Sequence, residues 1–206
     1  MSEHYYTGKP SSASDRRTLE TTLRGFRLKL VTDAGVFSKG GVDFGSRLLI
    51  ECMEVAPRDE VLDVGCGYGP IGLVAAKLAR EGHVVMTDIN ERALELARLN
   101  ADANGIRNVT VLQSDRLEAV RGRQFDVIVT NPPIRAGKAV VHGIFEEAFG
   151  HLKPGGSLWV VIRKQQGAPS ARKKLEELFG AGAVEEADKQ SGYRVYRARK
   201  ISSQNV

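Results

Sequence analysis

The sequence predicts an α/β protein, a doubly wound and mostly parallel sheet of seven strands preceded by a small β extension. Three observations carry this. From residue 60 onward, short apolar runs of strand length alternate with longer segments of helical period, the pattern of βαβ units. Ahead of residue 43 the apolar residues instead alternate singly with polar ones, as half-buried strands require. At 206 residues, 42% apolar and 27% charged, the chain has the size and composition of one globular domain with a minor extension. The expected division is a segment 1–42 packed on a main domain 43–206.

Residues 1–17 are polar and read as irregular, although Tyr5 and Tyr6 suggest that the segment packs or touches a ligand. "TLETTL" and "FRLKLV" follow, with Phe26, Leu28 and Leu30 on one side, Arg27 and Lys29 on the other, and Gly25 as the turn. "TDAG" (32–35) marks another turn. Asp43 caps a helix over "FGSRLLIECMEV", which must stop before Pro57. "EVLDVG" (60–65) is a buried strand, followed by a glycine-rich turn and the apolar helix "PIGLVAAKLAR". "HVVMTDI" (83–89) is the next strand, and "RALELARLNADAN" a helix closed by Gly105. "NVTVLQSD" (108–115) and "FDVIVTN" (125–131) are strands, "GIFEEAFGHL" (143–152) a helix, and "KPGGSLWVVIR" a turn into a fifth buried strand. The helix "SARKKLEELFG" and the strands "AVEEADK" and "YRVYRAR" complete the pattern.

Several function classes are excluded early. No uncharged apolar stretch reaches the length of a membrane span, and "MSEHYYTGKPSS" lacks the apolar core of a signal peptide. Cys52 and Cys66 make no disulfide framework, so a cytoplasmic protein with two reduced thiols is expected. His4, His83, His142 and His151 lack metal-ligand spacing, and no metal is expected. Trp159 reads as core. The net charge of +5, from 30 basic and 25 acidic residues, is compatible with a polyanionic partner without identifying one. The basic residues gather at 16–17, 121–124, 163–164, 172–174 and 193–200; each cluster serves equally well as a solvated face.

The ends of the parallel strands are where such sheets bind ligands. "VLDVGCGYGPIG" places Gly65, Gly67 and Gly69 between a strand and a helix, where the backbone turns tightly and a ligand can approach main-chain amides. The position that would carry the last glycine of a dinucleotide fingerprint is Pro70, which speaks against a pyrophosphate and suits the first turn of a helix. Asp88, ending the next strand, can accept from both hydroxyls of a ribose, and Asp115 after Ser114 can accept from an adenine amino group. Each aspartate alone is also a reasonable cap or turn residue.

"TNPPIRAGK" (130–138) leaves the fourth strand. Asn131 offers a side-chain carbonyl, and Pro132 a main-chain carbonyl without a competing N–H. Because a residue preceding proline is kept out of the helical region, both Asn131 and Pro132 are held extended. Two acceptors at fixed spacing can grip the hydrogens of a planar amine and aim its lone pair at an electrophile.

The region 59–162 resembles the class I methyltransferases that use S-adenosylmethionine, whose sheet is Rossmann-like. The resemblance implies that Asp63, Gly65, Cys66, Gly67 and Gly69 form the first cofactor motif, that Asp88 and Ile89 hold the ribose end, and that Ser114 and Asp115 hold adenine. "NPPI" is similar to the fourth motif of amino-group methyltransferases, implying catalytic roles for Asn131, Pro132, Pro133 and Ile134, with Asn131 also bordering the cofactor. Ile134 stands where that motif is commonly aromatic. "HYYT…PSS", "VTDAGVFSKGGVDFGSRLLIE" (31–51) and "NPPIRAGK" together resemble the small-domain family related to ribosomal RNA small subunit methyltransferase C, which implies transfer to guanine N2 in ribosomal RNA. Phe37, Ser38, Lys39 and Gly40 would then border the methionine end of the cofactor or the substrate entrance, and Arg135 and Lys138 would meet phosphates. Adenine N6, a protein glutamine amide, or a non-catalytic RNA-binding or ribosome-assembly role on the same fold remain open alternatives.

Overall fold

The computed structural model describes Tyr6 and residues 8–202, so the expectations for His4 and Tyr5 concern residues outside that range. Its chain opens with an antiparallel hairpin, β1 (Arg17–Leu23) and β2 (Phe26–Thr32). Arg24 and Gly25 both take positive φ, 49° and 82°, which gives a two-residue turn the twist that antiparallel strands need. Helix α1 (Phe44–Cys52) starts where Asp43 accepts a hydrogen bond from the Ser46 amide. It ends three residues earlier than the sequence suggests, because the chain is already extended at Met53, ahead of Pro57.

The main sheet follows: β3 (Glu60–Val64), α2 (Pro70–Leu78), β4 (His83–Asp88), α3 (Glu91–Ala103), β5 (Val109–Gln113), β6 (Phe125–Thr130), α4 (Lys138–His151), β7 (Leu152–Arg163), α5 (Ala168–Phe179), β8 (Val184–Gln190) and β9 (Tyr193–Arg199). Strand order is β5-β4-β3-β6-β7-β9-β8, with β9 antiparallel to both neighbours and the other pairs parallel. The seven-stranded, doubly wound expectation is met. Helix α4 begins five residues before the predicted Gly143; the valines at 140 and 141 read poorly as helix, but Val141 is buried against the sheet and packing overrides propensity.

Strand parity divides the core. Val61, Met86, Val127, Val129 and Trp159 face α1, α2 and α3, while Leu62, Val64, Val85, Ile128 and Val160 face α4 and α5. Leu23, Leu28 and Leu30 of the hairpin join the first of these clusters. Asn100 of α3 also ties the hairpin down, accepting from the Val31 amide at 2.7 Å and donating to the Val31 carbonyl at 2.9 Å. Trp159, Phe125 and Phe145 are fully buried, and each such side chain contributes about 1.5–3 kcal/mol relative to exposure. No helix among the described residues is long and apolar enough to cross a membrane.

The chain builds β3, β4 and β5 outward, then returns to lay β6 on the other side of β3. This reversal opens a crevice at the carboxyl ends of β3 and β6. Val64 pairs with Thr130, and the Thr130 hydroxyl donates to the Val64 carbonyl at 2.9 Å. Their successors, Gly65 and Asn131, therefore leave the sheet side by side.

Candidate active site

A cavity of about 860 Å³ fills that crevice. Its floor is the turn after β3. Gly65 and Gly67 have φ of 73° and 57°, and a Cβ on either would meet nothing within 4 Å, so both present bare backbone to open space. The Gly65 and Cys66 amides both donate to the Thr87 carbonyl at 2.8 Å, which fixes the loop to β4. Gly69, at φ 106°, precedes Pro70 at the first position of α2, where the missing N–H costs nothing. Cys66 lines the cavity with its thiol near the Gly67 carbonyl at 3.4 Å, and burial pushes the thiol pKa up.

Asp88 stands at the end of β4 against the same cavity. One carboxylate oxygen accepts from the Gly67 amide at 2.8 Å, the other from the Asn90 amide at 2.9 Å. Burial raises its pKa, partly offset by these bonds. Each oxygen keeps a lone pair for a ligand hydroxyl. Ile89 and Ser114 line the wall beyond it, and Tyr6 closes that end. The Tyr6 hydroxyl donates to Asp115 at 3.3 Å, and burial raises its pKa to about 12. Asp115 itself is exposed and is not among the cavity's lining residues, whereas Arg116 is. The open glycine backbone, the half-buried Asp88 carboxylate and the lining of Ile89 and Ser114 suit an adenosyl group with a polar tail.

Asp63 lies apart from the cavity. Parity turns its side chain beneath the loop, toward α2, where a Cβ on Gly72 would come within 2.9 Å of its Oδ2 and 2.7 Å of Met86. Neither oxygen has a well-aligned hydrogen-bond partner among the described residues, and desolvation raises its pKa to about 7, with the Gly72 amide opposing this.

Asn131 joins the cavity to a second, wider cleft of about 1430 Å³ that opens to solvent. Its amide nitrogen donates to the Ser46 hydroxyl at 3.0 Å and approaches the Asp43 carboxylate at 3.4 Å. A carboxylate only accepts, so this contact fixes which end of the amide faces α1. The Oδ1 atom accepts no bond among the described residues and is left as the acceptor at the junction, beside Pro132. Pro132 and Pro133 are buried, and Ile134 is half-buried on the cleft wall.

Of the residues expected at the substrate entrance, Phe37 and Ser38 line both spaces and Arg135 lines the cleft. Lys39 instead pairs with Asp15, and Lys138 sits exposed at the start of α4, lining neither. The sequence reading missed Ser46 and Arg116 altogether and gave Asp43 only a capping role. The "DFGS" capping pattern is a signal for the first and last; nothing local marks Arg116, which has φ 50° and pairs with Glu147 at 3.1 Å.

The sequence profile described as "Methyltransferase small domain" matches residues 27–197. The chain is 53% identical over 204 residues to the uncharacterized protein YbxB of Bacillus subtilis (strain 168), covering 98% of this chain and all of that one. It is 32% identical over 195 residues to ribosomal RNA small subunit methyltransferase C of Escherichia coli O17:K52:H18, covering 92% of this chain but 54% of the relative. Among solved structures, the Thermus thermophilus 16S rRNA N2 G1207 methyltransferase (RsmC), in complex with AdoMet and guanosine, superposes with a TM-score of 0.79 at 31% identity, over 93% of this chain and 52% of that one. The chain thus spans about half the length of the methyltransferase C relatives. With the glycine turn, the Asp88 acceptor and the anchored Asn131 standing at the reversal of the sheet, it belongs to the methyltransferase small-domain family.

Proposed function

We propose that the chain binds S-adenosylmethionine and transfers a methyl group to an exocyclic amine of RNA, namely N2 of guanine in ribosomal RNA. The observation that carries this is the anchoring of Asn131, whose nitrogen is committed to Ser46 and Asp43 and whose oxygen stays available at the junction of cavity and cleft. The methyltransferase C relatives support the choice of acceptor.

In this reading the cofactor supplies a sulfonium-activated methyl group. Gly65, Gly67 and Cys66 cradle its amino-acid end, Asp88 accepts from the ribose, and Ile89, Ser114 and Tyr6 enclose the base. Asn131 Oδ1 and the Pro132 carbonyl accept from the two amine hydrogens. This draws density toward the nitrogen and fixes its approach, an effect that reaches roughly 7–11 kcal/mol in ideal cases. With S-adenosylmethionine bound, the amine held by Asn131 and Pro132 would be placed to receive the methyl group, and its surplus proton would leave to water. No strong base is required, in keeping with the absence of a histidine from the cavity lining among the described residues. The segment before residue 43 is part of the catalytic unit in this proposal, because Tyr6, Val36, Phe37 and Ser38 line the cavity.

The test is incubation with methyl-tritiated S-adenosylmethionine and separate pools of ribosomal RNA, ribosomal subunits and protein. Label recovered in N2-methylguanosine, and lost with Asn131→Ala, is the expected result. Label in N6-methyladenosine or in glutamine would move the acceptor, and transfer to no pool would overturn the assignment.

A further inference from the structure

Resting on that reading, we propose that the cleft outside Asn131 binds the nucleotide adjoining the target in a single RNA strand. Arg163 serves as a stacking shelf for its base, and Arg135 receives its phosphate. Arg163 ends β7 exposed, with its guanidinium carbon 5.0 Å from the centroid of the Tyr193 ring. Tyr193 opens β9, directly paired with Arg163 in the antiparallel register. It is supported in turn by Phe44, at 5.6 Å between ring centroids, and leans so closely on α1 that a Cβ on Gly45 would stand 2.7 Å away. Arg163, Tyr193, Gln166 and Arg135 all line the cleft, which runs into the inner cavity through Asn131 and Pro132.

The other basic clusters are partly paired internally, although Arg123, Lys173, Arg199 and Lys200 make no ion pair within 4.0 Å among the described residues. Arg16, Arg121, Arg172, Lys174, Arg194 and Arg197 each make an ion pair with a carboxylate of this chain. Arg135 and Arg163, which line the cleft, make none within 4.0 Å among the described residues. Cations left without internal counterions around a cleft fit a polyanion, and a guanidinium held over an aromatic ring offers its outer face to a base. Unpaired bases stack on such surfaces without strict sequence preference. The shelf and the Asn131 anchor share the first turn of α1, since Gly45 contacts Tyr193 and Ser46 holds Asn131. A strand seated on the shelf would have its next base at the mouth of the inner cavity.

The experiment uses the full chain and a fluorescein-labelled pentaribonucleotide with one central guanine flanked by uridines, read by anisotropy across a salt series. Arg163→Gln is expected to weaken binding about ten-fold with little change in the log–log salt slope, whereas Arg135→Gln is expected to lower that slope by about 0.7, the value for one phosphate contact on a single strand. Arg163→Lys should not restore the full affinity, because the ammonium keeps the charge and loses the plane. S-adenosylmethionine affinity and the thermal midpoint should not move in any of these variants. Unchanged oligonucleotide binding in Arg163→Gln, full recovery in Arg163→Lys, or no binding by the wild type overturns the subsite. Tritium transfer to ribosomal RNA, measured in parallel, judges the proposed function separately, so either reading can fail while the other stands.

Discussion

Asn131 donates its amide nitrogen to Ser46 Oγ at 3.0 Å, with the Asp43 carboxylate at 3.4 Å, so helix α1 rather than the proline loop sets the rotation of the amide. Asn131→Ala removes the acceptor, and a drop of about a hundredfold or more in turnover is expected. Ser46→Ala leaves the acceptor in place but loosens it. Its turnover should fall about ten-fold with S-adenosylmethionine affinity unchanged, as read by single-turnover kinetics beside calorimetric titration. Equal losses of cofactor affinity and turnover in Ser46→Ala would mean that Ser46 supports the fold and not the amide.

The Asp88 carboxylate receives one backbone N–H on each oxygen, from Gly67 and Asn90. Asp88→Asn must turn an amide N–H toward one of these donors. S-adenosylmethionine affinity should fall by about ten-fold or more, since a hydrogen bond to a charged group contributes about 1.5–3 kcal/mol. Titration calorimetry measures this, and an unchanged dissociation constant would remove Asp88 from the ribose site.

Asp63 predicts a pH dependence of stability. Its folded pKa of about 7 lies above the ordinary carboxylate value, so the folded state favours the protonated form. Its contribution is most favourable below about pH 4, declines as pH rises toward 7, and is level above that. The span is on the order of 4 kcal/mol at 1.36 kcal/mol per unit. Asp63→Asn, neutral throughout, should flatten the decline in denaturant melts between about pH 4 and 7. A parallel decline in the variant would place the titrating group elsewhere.

Two glycines of the same region should respond oppositely to alanine. Gly72→Ala drives a methyl group against Met86 and Asp63 beneath the loop, and overpacking of this kind costs about 1–3 kcal/mol. Gly67→Ala meets open space but adopts φ 57°, which costs about 1–2 kcal/mol, and its methyl projects toward the cofactor space. Gly72→Ala should chiefly lower the thermal midpoint. Gly67→Ala should lower S-adenosylmethionine affinity more than its stability loss accounts for.

Much of the site was legible because its parts are strand-terminal and locally patterned. The glycine turn, Asp88 and Asn131 each announce themselves by residue type at the end of a buried run. Asp63 did not reveal its direction, because only strand parity turns it under α2 and away from the cavity. The Asn131 anchor was invisible for a different reason: Ser46 lies 85 positions earlier, and no period or spacing encodes such a contact. Arg116 needed the α4 carboxylate Glu147 to hold it in place, a partner that appears only once the helix packs. Lys39 shows the converse, an apparently suitable cation taken up by a neighbouring aspartate.

The pairing of β3 with β6 bears on how the site comes into being. Thr130 and Val64 meet across a separation of 66 positions, with two complete βα units between them. Closing that loop is entropically costly and slow compared with forming either helix. The glycine turn and Asn131 are thus carried by opposite banks of a contact formed across the middle of the sheet. A folding intermediate holding only β3, β4 and β5 can shape the glycine turn, yet it has no Asn131 beside it. Ligand capacity should accordingly appear in refolding before transferase activity, with the interval set by the docking of β6.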